Sequence, residues 1–165
     1  MPELQLVRAE HGPAILAFEL ENRGYFTASI SDRGDEYFDQ FTERHSELLA
    51  GQEAGTGASY VLVDGDGSVL GRFNLYDIAD GTAVLGYRVA QRVAGRGVAT
   101  AAVRDLSQLA VSRHGVRVLR AATNDTNAAS QRVLTKAGFV LDGPADPADI
   151  GGKPGNWYRR DLTDG

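Results

Sequence analysis

The chain contains no cysteine. That excludes disulfides, thiolate metal sites and any route in which a protein thiol carries an acyl group covalently. It also lacks an apolar run near the roughly 18 residues that a membrane-crossing helix requires. Its start, Met-Pro-Glu-Leu-Gln-Leu, has neither the basic residues nor the apolar core of an export signal. The expected compartment is therefore the cytoplasm. A basic excess is missing too: the net charge of −5 argues against nucleic acid as a partner and leans toward a cationic acceptor. The three histidines (His11, His45 and His114) have no carboxylate spacing that suggests a ligand set. No metal is expected, and these histidines read as surface or capping residues.

What is present is ordinary globular material, with 42% hydrophobic and 24% charged residues over 165 positions. The expectation is one domain spanning 1–165 with no linker and no internal repeat. The most informative stretch is Arg92-Val93-Ala94-Gly95-Arg96-Gly97-Val98-Ala99-Thr100. An apolar strand pattern, Val84 to Val89, runs into it, and an alanine-rich helix pattern leaves it near Val98. A glycine-rich turn that opens a helix presents unpaired backbone N–H groups at the positive end of the helix dipole. Such a turn suits a phosphate or diphosphate, with Arg92 and Arg96 adding charge. It is no P-loop, because no Gly-x-x-x-x-Gly-Lys-Ser/Thr run exists. A dinucleotide turn fits poorly as well, since Thr100 stands at the third glycine and no acidic residue follows at the required distance.

The remaining pattern gives the element order βααβββαβαββ. A strand over Leu4–Val7 precedes a helix from Ala14 to Phe26, with Pro13 in its first turn. A second helix carries Tyr37, Phe38, Phe41, Leu48 and Leu49. Tyr60–Val63 and Val69–Tyr76 flank the turn Asp64-Gly65-Asp66-Gly67 as a hairpin. Those aspartates do not make a calcium loop, because Leu75 stands where the closing glutamate belongs. Val98 to His114 is a helix closed by Gly115, with Ala99, Ala102, Val103, Leu106, Leu109 and Ala110 on one face. Then come a strand over Val116–Ala122, a helix over Asn127–Ala137, a strand at Phe139–Leu141, a loop over Asp142–Gly155 and a last strand, Trp157–Arg160.

Two motifs about one strand apart carry a resemblance. Arg92-x-x-Gly95-x-Gly97 is similar to the diphosphate turn of the GNAT N-acetyltransferases. Asn127-x-x-Ser130 followed by Lys136-x-Gly138-Phe139 is similar to that family's second hallmark. Glu21-Asn22-Arg23, Gly71 to Tyr76 and Leu85 to Val89 resemble the RimJ/RimL-type ribosomal-protein N-terminal acetyltransferases in particular. The resemblance covers about Leu4 to Leu162. It implies an α/β fold (of the α+β kind): a mixed, mostly antiparallel sheet with helices on both faces, whose parallel fourth and fifth strands splay apart. Acetyl-CoA would be the acetyl donor. The diphosphate would sit on Arg92, Gly95, Arg96, Gly97, Val98, Ala99 and Thr100. The pantetheine arm would lie against the backbone of Arg88 and Val89, with Asn127 and Ser130 beside it.

For catalysis the resemblance implies Ser130 with a carboxylate after Gly-Phe, first Asp149 and second Asp146. Leu134 stands where many members carry a tyrosine acid. For acceptor contacts it implies Glu21, Arg23, Asn74 and Tyr76, with Glu21 and Asp149 drawing in a cationic amine. Asn127 also reads as a plain helix N-cap, Ser130 as a first-turn residue, and Asp149 as a solvated loop residue. Tyr76 and Tyr87 read as core or rim.

An α-amine, with a pKa near 8, is partly neutral at pH 7.5, whereas a lysine amine near 10.4 lies about 4 kcal/mol uphill. With no strong base on the fourth strand, the preferred acceptor is the N-terminal α-amine of a protein or peptide. A small amine (amino acid, amino sugar or antibiotic) is the alternative enzyme reading, and a non-catalytic acyl-CoA-binding module is the other. The expected assembly is a monomer or homodimer with no membrane partner.

Overall fold

The computed structural model describes residues 2–28, 32–146 and 154–162. Seven strands make one sheet: β1 (Glu3–Leu6), β2 (Ala58–Val63), β3 (Val69–Ala79), β4 (Thr82–Val89), β5 (Val118–Asn124), β6 (Val140–Ala145) and β7 (Gly155–Asp161), in the order β1-β2-β3-β4-β5-β7-β6. Between β1 and β2 lie α1 (Gly12–Glu21), α2 (Arg23–Thr27), α3 (Asp35–Asp39) and α4 (Phe41–Glu53). The crossover from β4 to β5 runs through α5 (Val98–His114), and α6 (Ala128–Lys136) follows β5. The β4–β5 pair is parallel, and the other five pairings among the described residues are antiparallel. This is the mixed sheet with helices on both faces that the sequence implies.

Strand alternation sorts the core into two layers. Tyr60, Leu62, Phe73, Leu75 and Leu85 face α5, whose Ala102, Val103, Leu106 and Ala110 are almost completely buried. On the other face, Val61 and Val69 pack under Ile15, Phe18, Phe26 and Phe41 of α1, α2 and α4. α5 ends at Gly115, whose φ of +65° is the left-handed conformation that glycine adopts without strain.

The sequence expectations differ from the structure in their boundaries. The helix expected over Ala14–Phe26 is two helices broken at Asn22, whose φ and ψ of −103° and 7° leave the helical region. The side chain of Asn22 explains the break. Its Nδ2 donates to the Phe18 carbonyl at 2.9 Å, and its Oδ1 accepts from the backbone N–H of Gln91 at 3.0 Å. The second expected helix is likewise interrupted, at Gln40. The strand expected at Phe139–Leu141 is β6, which runs on to Ala145 because it pairs with a longer β7.

The histidines are less exposed than expected. His11 does cap a turn, its Nδ1 accepting from the Arg8 N–H at 2.9 Å, but it is buried, and so is His45. Burial, and next the Arg8 charge, lowers the pKa of His11 from its usual 6.5; burial likewise lowers that of His114. A depressed histidine pKa means that the unfolded chain binds protons more readily than the folded one. Stability is then full above pH 6.5 and is lost as pH falls through that value. Melting temperature should therefore drop between pH 7.5 and pH 5.5, and the drop should shrink in the double variant His11→Gln/His114→Gln. An unchanged drop would show that carboxylates alone cause it.

Candidate active site

The β4–β5 ladder is short. Thr82, Ala83 and Val84 pair with Val118, Leu119 and Arg120, and the register ends there. Both strands continue, β4 to Val89 along β3 and β5 to Asn124 along β7. From Leu85 and from Ala121 onward the two strands thus share no ladder, and a gap opens between their facing edges. Buried amides and carbonyls are rarely left alone, so an extended ligand backbone suits this gap.

At the top of the gap β4 gives way to the glycine turn. Gly95 and Gly97 have φ of +76° and +77°, and a Cβ at either position would meet no atom within 4 Å. The turn is therefore shaped by glycine and open in front. α5 starts at Gly97 with no side-chain cap, so the amides of Val98, Ala99 and Thr100 have no intrahelical partner. Arg88, Val89, Gly95, Gly97, Ala99 and Thr100 line a cavity of about 360 Å³, together with Asn127 and Ser130 of the α6 start.

Other expected residues lie outside that lining. Arg92 donates to the Ser68 hydroxyl at 3.1 Å, Arg96 is exposed on the turn, and Val98 packs on the core. Asn127 does cap α6, its Oδ1 accepting from the Ser130 N–H at 3.2 Å.

Several contributors were not singled out from sequence. Tyr25 and Phe26 of α2 line the cavity, as do Arg132 and Lys136, four residues apart on α6. Tyr87 reaches across from β4 so that its hydroxyl lies 2.9 Å from Ser130 Oγ. Burial, opposed by the Ser130 contact, pushes the Tyr87 phenol up to about 12. It stays protonated throughout the working pH range and can only donate or relay a proton. Leu134, where many GNAT enzymes place a tyrosine, is a core residue at 1% exposure.

Behind β4 lies a charge cluster. Glu19, fully buried, accepts from Arg33 at 2.8 Å, Arg72 at 3.2 Å and Arg88 at 3.0 Å. Arg72 also donates to the Tyr37 hydroxyl at 2.9 Å, and Arg88 lies over the Phe26 ring.

Two residues expected to contact the acceptor lie outside both cavities. Glu21 is exposed at the end of α1 and reaches neither this cavity nor the neighbouring one. Arg23 is held by Asp32 and Asp35 and stacks on Phe38, so it too lies away from both. Helix periodicity turns them outward, while Glu19 and Asn22 on the same helix face inward. Asn74 and Tyr76 line the neighbouring cavity instead, beside the cluster. Asp146 is exposed just past β6, and Asp149 falls outside the described residues.

Residues 4–140 match the acetyltransferase (GNAT) domain family. The chain belongs to that family. It is 30% identical over 139 residues to the probable N-acetyltransferase YjcK of Bacillus subtilis, covering 79% of this chain and 75% of that protein. Its fold superposes on the ribosomal-protein-S5-alanine acetyltransferase of Vibrio fischeri with a TM-score of 0.90, over 99% and 94% of the two chains at 18% identity. With Mycobacterium smegmatis RimJ, solved in complex with a CoA disulfide, the TM-score is 0.84, over 98% and 82% at 21% identity. A spermidine N-acetyltransferase chimera (SpeG from Vibrio cholerae and hSSAT) and the microcin C7 self-immunity acetyltransferase MccE share the fold at 15% identity, with TM-scores of 0.82 and 0.83.

This GNAT enzyme is thus an acetyl-CoA-dependent N-acetyltransferase, and the family fixes the fold and the donor but not the acceptor. Among the described residues no helix is long and apolar enough to cross a membrane.

The Glu19 cluster predicts a stability effect. Removing one partner of a buried ion network leaves unpaired charge and costs about 3–5 kcal/mol. Glu19→Gln should lower the denaturation midpoint accordingly. A midpoint equal to wild type would show that the three arginines find adequate partners elsewhere.

Proposed function

We propose that the open turn holds the diphosphate of acetyl-CoA and that the gap between β4 and β5 holds its pantetheine arm. Gly95 and Gly97 give the diphosphate close access to the amides of Val98, Ala99 and Thr100. Arg92 and Arg96 add charge from outside the cavity, and Arg132 and Lys136 border it from α6. The backbone edge of Arg88 and Val89 pairs with the arm, and Asn127 reaches it from the α6 start. The thioester then lies near Ser130 and Tyr87.

The acceptor is the N-terminal α-amine of a protein or peptide. One observation carries this reading: among the described lining residues of the cavity there is no aspartate, glutamate or histidine. A lining with no base among its described residues favours an amine that is already partly neutral, and an α-amine near pKa 8 meets that need where a lysine near 10.4 does not. The neutral nitrogen attacks the thioester carbonyl carbon, the C–S bond breaks, and the thiolate leaves. A hydrogen bond from the Ser130 hydroxyl, itself held by Tyr87, stabilises that thiolate, and the proton lost by the amine converts it to the free thiol. With no cysteine in the chain, transfer is direct. We place this reaction in the cytoplasm, on a chain that forms one domain. The varied acceptors named among structures of this fold keep a small amine as the second reading.

Thioester cleavage measured on matched acceptors tests this. A peptide with a free α-amine should turn over, whereas the same peptide acetylated at its N-terminus and carrying a free lysine should not. Tyr87→Phe should lower kcat by about tenfold or more while leaving acetyl-CoA affinity unchanged. Turnover on small amines alone would remove the protein-directed reading. Binding without turnover on any amine would mark a non-catalytic acyl-CoA-binding module.

A further inference from the structure

We propose that the second cavity, beside the Glu19 cluster, receives a carboxylate carried by the acyl acceptor. The acceptor would thus present an amine at the thioester and an anionic group a few bonds away. This rests on the reading of the β4–β5 gap as the donor site.

The cavity, of about 480 Å³, lies between β3 and the α3–α4 segment. Arg72, Asn74 and Tyr76 alternate along β3 and so share the face opposite α5. Their partners on β4 are Arg88, Gly86 and Val84. The Tyr76 ring packs directly against Gly86, where a Cβ would lie 2.8 Å from it. One strand, β4, about 4.8 Å wide, therefore separates β3 from the gap. The span from gap to cavity is roughly 10 Å, or two to three residues of extended chain at about 3.4 Å each.

The charges in this wall are unbalanced. Arg33 and Arg72 share the single carboxylate of Glu19, which also serves Arg88. Arg44, exposed at the cavity and near the Tyr37 ring, forms no ion pair among the described residues. Glu47 and Asp77 also border the cavity; they and Arg44 are all exposed, so water screens these three charges alike, and the excess that remains is Arg33, Arg72 and Arg88 on the one carboxylate of Glu19.

Polar hydrogens are in surplus as well. The Tyr37 hydroxyl accepts from Arg72, leaving its own proton to donate. Asn74, 8% exposed, donates Nδ2 to the Tyr76 hydroxyl at 3.1 Å, while its buried Oδ1 has no partner. Because a hydroxyl can equally donate, the amide turned over would satisfy Oδ1 and present Nδ2 instead. Only in that turned orientation is the open atom a donor, beside Arg72 and Arg33; in the orientation described it is an acceptor. An oxyanion is the group this set lacks, and a carboxylate matches the planar fork of arginine. The global charge of −5, which leans toward a cationic acceptor, is thus reversed locally.

The test compares kcat/KM for tripeptides bearing Asp, Asn or Lys at position two or three behind an N-terminal alanine. A parallel arm compares ω-amino carboxylates with aliphatic amines of equal length. Acidic acceptors should be favoured about tenfold over neutral ones. The ratio should collapse toward one in Arg44→Gln and invert toward lysine in Arg44→Glu, while acetyl-CoA titration verifies that both variants are folded. The same preference seen only in the small-amine arm would support this site while overturning the peptide acceptor. No acidic preference in either arm, or a preference unchanged in both Arg44 variants, would overturn the carboxylate site and leave the α-amine reading standing.

Discussion

The architecture depends on where two parallel strands stop pairing. β4 and β5 hold each other over three residue pairs and then part, although each keeps its ladder to its outer neighbour. Antiparallel pairing on both flanks makes the opening a rigid feature of the sheet. A parallel pair buried under helices would ordinarily close along its length. Leaving it open costs backbone hydrogen bonds that only a ligand or water can restore. The glycine turn follows directly from the free end of β4, so the gap and the turn form one continuous channel.

The opposite face ties this channel to α1 and to the start of α2. Glu19 fixes α1 to β3 through Arg72 and to β4 through Arg88, while Asn22 ties the α1–α2 break to the amide of Gln91 just before the turn. Both residues sit on one helical turn and face inward, so α1 acts as a strut between the two sides of the sheet. A buried carboxylate with three arginines would be an expensive way to gain stability alone. Its positional effect is clearer: it fixes the side chains of Arg72 and Arg88 on the α1 face of β3 and β4.

Much of this was legible in the chain because it rests on local chemistry. The spacing of Gly95 and Gly97, the capping residue Asn127 and the apolar stripe of α5 need no knowledge of distant contacts. The helix breaks at Asn22 and Gln40 were not legible. Asn22 leaves the helix for a partner 69 positions away, which no local pattern reveals. Glu21 and Arg23 came from the family resemblance, yet the residues that face inward there are Glu19 and, at the helix break, Asn22. Glu19 is charged and yet buried because three arginines from separate segments meet it, and no local pattern shows that. Tyr87 read only as core or rim because its partner, Ser130, belongs to a helix brought near by the crossover.

Hydrogen exchange with and without acetyl-CoA tests the central claim most directly. If the cosubstrate occupies the gap and the turn, the amides of Leu85–Val89, Ala121–Asn124 and Val98–Thr100 should exchange markedly more slowly in its presence, while β1 and β6 stay unchanged. Saturating acetyl-CoA that leaves those three segments exchanging at their original rates would contradict the account.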